Sequence, residues 1–203
     1  MTALDLAPAT APARTKATHV PGDIHMWVFV LGDLIIFGIY FIVFMAYRVK
    51  EPAAFIAAQH HLNVTTGAVN TLVLLTSSWF VARGVQAVRH ADLGRATTLL
   101  RAGSACGLVF IAVKAFEWSI EIHDGHTLSS GTFLACYFMF TGVHLMHVVL
   151  GLIILGIVQR NIRAAKAPGA DGANLVLVEA GGIFWHMVDL LWVVIFALLY
   201  VMR

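Results

Sequence analysis

Long apolar stretches separated by short polar connections dominate the sequence. Five stretches are about 20 residues or longer, the length that an α-helix needs to cross a bilayer. These predicted spans cover approximately residues 24–47, 64–88, 96–122, 132–159 and 175–202. The pattern predicts an all-α fold, a polytopic membrane bundle of five transmembrane helices formed by residues 21–203.

The first 20 residues break this pattern. They are rich in Ala, Pro and Thr and lack the short apolar core of a signal peptide. We therefore predict a flexible cytoplasmic tail over residues 1–20, preceding the membrane domain.

Composition agrees with a membrane protein. The chain is 60% hydrophobic and 12% charged, whereas a soluble domain averages about 25% charged residues. The net charge of +2 gives no indication of a nucleic-acid partner. Cys106 and Cys136 lie in apolar runs without CxxC or Cys/His zinc spacing, which predicts free, buried thiols.

Lys and Arg in the connections predict the orientation. Basic residues cluster around the second-to-third and fourth-to-fifth connections: Arg83, Arg89, Arg95, Arg101, Arg160, Arg163 and Lys166. Residues 120–131 contain no Lys or Arg. The N-terminus is therefore predicted inside and the C-terminus outside. Arg14 and Lys16 agree, whereas Arg48 and Lys50 fall on the outer side.

Small residues mark positions where helices can approach closely. Gly103 and Gly107 form a GxxxG pattern in the third span, and Gly151 and Gly156 lie in the fourth. We expect close helix packing at these four glycines.

Several ionisable side chains interrupt the spans, where each costs roughly 2.5–3.5 kcal/mol on insertion scales for Asp, Lys or Arg. They are Asp33, Lys114, Glu117, His144, His147, His186 and Asp189. Such residues need partners or a function. Asp33 has no local partner, so it must contact another helix, a headgroup or water, or carry a proton.

Spacing suggests two local pairs. Lys114 and Glu117 are three residues apart and can neutralise each other on one helical face. His186 and Asp189 have the same spacing in "FWHMVDLLW". Trp185 and Trp192 flank Asp189, and an indole N–H can donate to its carboxylate.

The histidines leave several interpretations open. His144 and His147 share one helix and cannot ligate one haem from opposite faces, although His186 or His25 could supply a second ligand. A carboxylate di-iron site requires ExxH motifs that the chain lacks. Proton relay through His and Asp is physically possible. Hydrogen bonding between helices and contact with lipid headgroups is the simplest interpretation.

Five motifs in order resemble subunit III of the haem–copper oxidase superfamily. They are "GDIHMWVFVLGDLIIFG", "VNTLVLLTSSWFVARG", "KAFEW", "TGVHLMHVVLG" and "FWHMVDLLWVVIFALLY". The resemblance extends from residue 21 to the end and is greatest to the short, five-helix branch associated with nitric oxide reductase. That branch lacks the first two of the seven helices of the long form, and those two helices form one wall of the family's lipid cleft.

The resemblance implies a non-catalytic subunit of a haem–copper oxidase or nitric oxide reductase complex in the bacterial inner membrane. Such a subunit binds no haem or metal; haem and copper or iron reside in the partner subunits, and the family holds phospholipid. It docks on the catalytic subunit and supports stability and proton uptake during respiratory reduction of O2 or NO. The alternatives are a stand-alone haem-binding membrane oxidoreductase and an assembly factor for the reductase.

The resemblance also assigns roles to residues, none of them catalytic, cofactor-binding or metal-binding. His144 and His147 match a polar, lipid-contacting helix-packing motif, and the motif of His186 and Asp189 matches a family packing motif. Glu117 and Asp33 complete the candidate packing, lipid-contacting or proton-linked residues. The family's first-span acid is usually Glu, so we expect that the shorter Asp33 loses that contact or makes it through water.

Overall fold

The computed structural model describes residues 23–60, 62–167 and 172–202. It contains six α-helices in the order α1 (Ile24–Lys50), α2 (Pro52–Gln59), α3 (Val64–Arg89), α4 (Leu93–His123), α5 (Thr132–Ala164) and α6 (Leu175–Phe196), followed by a π-helical turn (Ala197–Val201). The predicted tail over residues 1–20 lies outside the described residues.

Five of these helices are long and apolar enough to cross a membrane. They are α1, α3, α4, α5 and α6 with its π turn, so the predicted all-α bundle of five spans is confirmed. Each predicted boundary agrees with the structure to within a few residues. The largest difference is at α5, which continues to Ala164 beyond the predicted end at 159.

Side-chain caps determine where three of the spans begin. Asn63 accepts hydrogen bonds from the backbone N–H groups of Thr65 and Thr66 at the start of α3. Asp92 and Asn174 cap α4 and α6 in the same way. Such caps satisfy N–H groups that have no partner within the helix. The polar residues just before α3, α4 and α6 therefore fix where these helices begin.

The short helix α2 is absent from the sequence prediction. Pro52 occupies its first turn, where the missing N–H has no consequence. Phe55 and Gln59 are buried against the bundle, and Phe55 contacts the rings of Phe44 and Phe133. At eight residues, α2 is too short to give a hydrophobic signal comparable with a span.

Helix α6 occupies the centre of the bundle. It packs against α1, α3 and α5, while α4 completes the ring between α3 and α5. α1 lies at the edge of the bundle and exposes a broad apolar face that includes Ile35, Ile39 and Ile42. The buried Lys114 and Glu117 side chains lie within the part of the bundle that α3 to α6 form.

Glycines allow several helices of the bundle to approach each other closely. A Cβ built on Gly107 or Gly151 would lie 2.8 Å from the indole of Trp185, and one on Gly103 would lie 2.9 Å from Val81. The predicted close packing is confirmed at these three positions. It is wrong at Gly156, where a Cβ would meet nothing within 4 Å.

Candidate functional site

A buried polar cluster joins α4, α5 and the π turn; we call it the Lys114 cluster (Lys114, Glu117, Tyr137 and Tyr200). Lys114 Nζ lies 2.9 Å from Glu117 Oε1. The same nitrogen lies 3.2 Å from the Tyr137 hydroxyl and 2.6 Å from the Tyr200 hydroxyl. Tyr137 donates to Glu117 Oε1 at 2.6 Å, and Tyr200 donates to the same oxygen. The predicted pairing of Lys114 with Glu117 is confirmed.

The hydrogen bonds of this cluster form a closed set. Lys114 has three N–H donors and uses one on each of its three neighbours. Each tyrosine hydroxyl accepts from Lys114 and donates to Glu117, so the charges cancel within the cluster. The ammonium also lies 4.7 Å from the centroid of the Tyr137 ring and 5.2 Å from that of Trp192. The arrangement fixes helix positions and leaves no donor of Lys114 for a substrate.

The sequence gives little indication of the two tyrosines. Tyr137 and Tyr200 stand in apolar runs and are fully buried. The only available signal is chemical: a buried tyrosine hydroxyl usually finds a hydrogen-bond partner, and the lone Lys–Glu pair is the nearest strong partner in the bundle.

His144 lies deeper, between two aromatic rings. It is completely buried, with its ring centroid 5.5 Å from that of Phe110 and 5.1 Å from that of Trp192. Neither ring nitrogen has a hydrogen-bond partner within the described residues. Helix packing is therefore the role that the geometry gives His144, which has no exposed surface with which to contact lipid.

His147 turns towards α1 instead and meets Asp33. Its Nε2 lies 3.0 Å from Asp33 Oδ2, and its Nδ1 lies 2.8 Å from the Val143 carbonyl oxygen. The partner that Asp33 lacks locally is thus supplied by α5. Within this chain the Asp33 carboxylate lies directly beside the imidazole, whereas the expectation about the contact of the family's longer Glu stays a prediction.

The expected local pair of His186 and Asp189 is absent, since no ion pair joins the two in the described part of the chain. Ser78 lies between them, with its hydroxyl 2.6 Å from His186 Nδ1 and close to the Asp189 carboxylate. Asp189 is buried, and its Oδ1 has no hydrogen-bond partner among the described residues. His186 is exposed on the outer face of α6.

The two tryptophans beside Asp189 also find other partners. Trp185 donates its indole N–H to the Ser77 hydroxyl at 3.1 Å, and Trp192 donates to the Thr71 hydroxyl at 2.9 Å. Because each indole has one N–H, the expectation that one of them donates to Asp189 is wrong. Both bonds instead join α6 to α3.

Polar contacts also close the two ends of the bundle. At one end, Gln59 donates to the carbonyl oxygens of Leu198 and Leu199, which the π turn leaves available, and Arg48 donates to Gln59. At the other end, Arg89 forms a 2.8 Å ion pair with the buried Glu179. Arg48, which opposes the charge-based orientation, therefore has a structural role.

Side chains that bind metal ions do not cluster in the described part of the chain. Within residues 23–60, 62–167 and 172–202, no three His, Cys, Asp or Glu side chains converge so that they could hold a metal ion. Cys106 and Cys136 are both free, as predicted; Cys136 is buried and Cys106 is partly buried.

Comparisons with known proteins support the family resemblance that the five sequence motifs indicate. The family model described as cytochrome c oxidase subunit III matches residues 14–203. A cytochrome c oxidase subunit 3 from Synechocystis sp. is 28% identical over 98% of this chain and 84% of its own length. One from Thermostichus vulcanus is 29% identical over 86% of this chain and 84% of its own length.

A third relative has a longer chain. The haem–copper oxidase subunit I+III of Aeropyrum pernix is 26% identical over 86% of this chain, and the match occupies 22% of that protein. Since the family model covers nearly the whole sequence, from residue 14 to its last residue, the chain belongs to the cytochrome c oxidase subunit III family.

Proposed function

We propose that this protein is a non-catalytic membrane subunit of a haem–copper oxidase complex, in which a larger partner subunit binds the haem and metal and reduces O2 or NO. One observation carries the proposal: the relative from Aeropyrum pernix is described as subunit I+III, and its match to this chain occupies only part of it. A chain of this family and a second oxidase subunit can therefore belong to one polypeptide.

The geometry supports a structural role. Ionisable side chains within the spans are largely bound to side chains of the same bundle, as in the Lys114 cluster and in the Asp33–His147 pair. His144, the most buried of the histidines, is packed between aromatic rings. A subunit with this interior supplies a rigid, lipid-facing scaffold, which is what stabilisation of a catalytic subunit requires.

The finer parts of the proposal concern the membrane. We place the N-terminus in the cytoplasm and the C-terminus in the periplasm of a bacterial inner membrane, from the distribution of Lys and Arg. We also propose that the chain belongs to the short, five-helix branch associated with nitric oxide reductase, and the five spans support this proposal. Phospholipid binding and support of proton uptake complete the proposed contribution to the complex.

The test is purification of the tagged chain from gently solubilised membranes. We expect a large haem-binding polypeptide to copurify, identified by mass spectrometry, and a reduced-minus-oxidised haem spectrum in the complex. After the two polypeptides are separated in a stronger detergent, the haem should remain with the large subunit. Oxygen and nitric oxide electrodes then decide which oxidant the complex reduces.

Two results would contradict the proposal. Haem that stays with this chain after separation, and is lost when His144 and His147 are replaced by Gln, would make it a haem-binding oxidoreductase. A large subunit that associates only during synthesis, and is absent from the mature complex, would make the chain an assembly factor.

A further inference from the structure

His186 occupies an unusual position on the surface of the bundle. It lies about 17 Å from the start of α6, and α6 with its π turn is about 40 Å long at 1.5 Å per residue. The side chain is nevertheless exposed. In the described parts of the chain, no other exposed ionisable side chain lies so near the middle of a span. Ionisable residues at this depth normally face a bundle interior or a water-filled cavity.

Lipid cannot supply hydrogen-bond partners for both ring nitrogens of His186. Nδ1 is engaged by the Ser78 hydroxyl at 2.6 Å, and Nε2 has no hydrogen-bond partner within the described residues. Acyl chains offer no donor or acceptor, and the headgroups begin about 15 Å from the centre of the bilayer. An unsatisfied polar group in hydrocarbon is costly, so a group from outside the chain is needed at Nε2.

A small groove lies beside His186, between α3 and α6. It has a volume of about 200 Å³ and is lined by apolar and polar side chains, among them Val85, Gln86, Ile183 and His186. The Arg89–Glu179 ion pair closes one end of the groove.

The surface of α6 continues from this groove. His186, Leu190, Val193 and Ala197 are all exposed, and their spacing of four, three and four residues places them on one face of the helix. By contrast, exposed positions of α1 and α4 near mid-span, such as Ile35 and Leu108, are apolar and suit lipid. The polar group is thus confined to the α3–α6 face.

We propose that this α3–α6 face is the docking surface for a transmembrane helix of the catalytic subunit, which presents a hydroxyl, amide or carboxyl group to His186. Ser and His are residue types that hydrogen-bond across membrane helices, and a helix is the one occupant that brings such a group to mid-membrane. The identity of the partner rests on the proposed function. The position of the surface rests on the exposure of His186 and on the groove beside it.

Photo-crosslinking in the intact complex tests the surface directly. A benzophenone side chain is introduced at Leu190 on the α6 face, with matched controls at Ile35 on α1 and Leu108 on α4. All three positions are exposed and apolar, so the probe leaves the packing of the bundle unchanged. We expect Leu190 to give an adduct with the large subunit and the controls to give chiefly lipid adducts.

The outcomes separate the two proposals. Lipid adducts alone at Leu190, in a complex that still contains the large subunit, would overturn the docking surface and leave the proposed function intact. A protein adduct of Leu190 with a polypeptide unrelated to oxidases would overturn the proposed function together with the catalytic subunit as the occupant of this surface.

Substitution of His186 tests the hydrogen bond. His186→Leu removes it, whereas His186→Gln keeps a donor and an acceptor; we expect partner affinity to fall roughly threefold to tenfold for Leu, the range for one interhelical hydrogen bond in membranes. The Gln variant should stay close to the parent. Equal retention of the partner by both variants, with unchanged melting temperatures of the isolated chain, would contradict the role of His186.

Discussion

Asp33 of α1 and His147 of α5 lie in direct contact, with 3.0 Å between Asp33 Oδ2 and His147 Nε2. His147 Nδ1 donates to the Val143 carbonyl oxygen at 2.8 Å, so in a neutral imidazole Nε2 would be an acceptor facing a second acceptor. Two lone pairs at this distance repel each other. The contact is therefore favourable only when a proton lies between the two groups.

This pair is expected to matter most for the attachment of α1. Helix α1 lies at the edge of the bundle, and its other contacts with α5 are between aromatic rings, as between Phe41 and Phe140. Asp33→Leu leaves His147 Nε2 without a partner, so we expect a loss of about 1–2 kcal/mol, near the upper end for polar contacts between membrane helices. Thermal unfolding in detergent measures the change.

Asp33→Asn is the matched control for that substitution. Its amide N–H can donate to Nε2 of a neutral His147 without any shared proton, so the variant should melt close to the parent. If Asn destabilised the chain as much as Leu, charge rather than hydrogen bonding would hold the two helices together.

Substitutions in the Lys114 cluster are expected to lower stability more than Asp33→Leu does. Lys114→Met leaves Glu117 buried and without its cation, and removing one partner of a buried ion pair typically costs about 3–5 kcal/mol. The double variant Lys114→Met with Glu117→Gln removes both charges, so its loss should be smaller than the sum of the two single losses. The melting temperatures of the parent, Lys114→Met, Glu117→Gln and the double variant form a double-mutant cycle that measures this difference.

Lys50→Met serves as the control because Lys50 is exposed. We expect it to change the melting temperature little. Strict additivity in the Lys114–Glu117 cycle would mean that the two charges do not stabilise each other, contrary to the 2.9 Å contact between them.

Local features of the fold follow well from the sequence. The five spans are predictable because each must be apolar over a bilayer's thickness, and Asn63, Asp92 and Asn174 are recognisable caps. The Lys114–Glu117 pair is predictable because residues three apart share a helical face. These inferences need only the geometry of a single helix.

Contacts between helices that are distant in the sequence cannot be predicted from the geometry of a single helix. Asp33 and His147 are far apart along the chain, and nothing in either motif identifies the other as its partner. The Asp189 carboxylate was expected to receive an indole N–H, but the rotation of α6 directs Trp185 and Trp192 to hydroxyl groups of α3. Helical spacing shows which residues share a face, and only packing shows what that face meets.

Orientation in the membrane is testable with reporter fusions. A periplasmic reporter placed after Arg203 should be active, and one inserted at Asp92, between α3 and α4, should be inactive. The physical reason is the retention of the Arg-rich connection in the cytoplasm. A cytoplasmic reporter at the same two sites should give the reverse pattern, and agreement of both reporters on the opposite orientation would contradict the charge argument.

The glycines that surround Trp185 provide a test of packing with an internal control. A Cβ on Gly151 would lie 2.8 Å from Trp185 Cε3, whereas one on Gly156, in the same helix, would meet nothing within 4 Å. Gly151→Val should therefore destabilise the chain by about 1–3 kcal/mol through overpacking, and Gly156→Val should have little effect. Because both variants place the same residue in α5, any difference in helix propensity cancels. Equal melting temperatures in detergent would mean that α5 can move away from Trp185, and that the close approach of α5 to α6 is not fixed by Gly151.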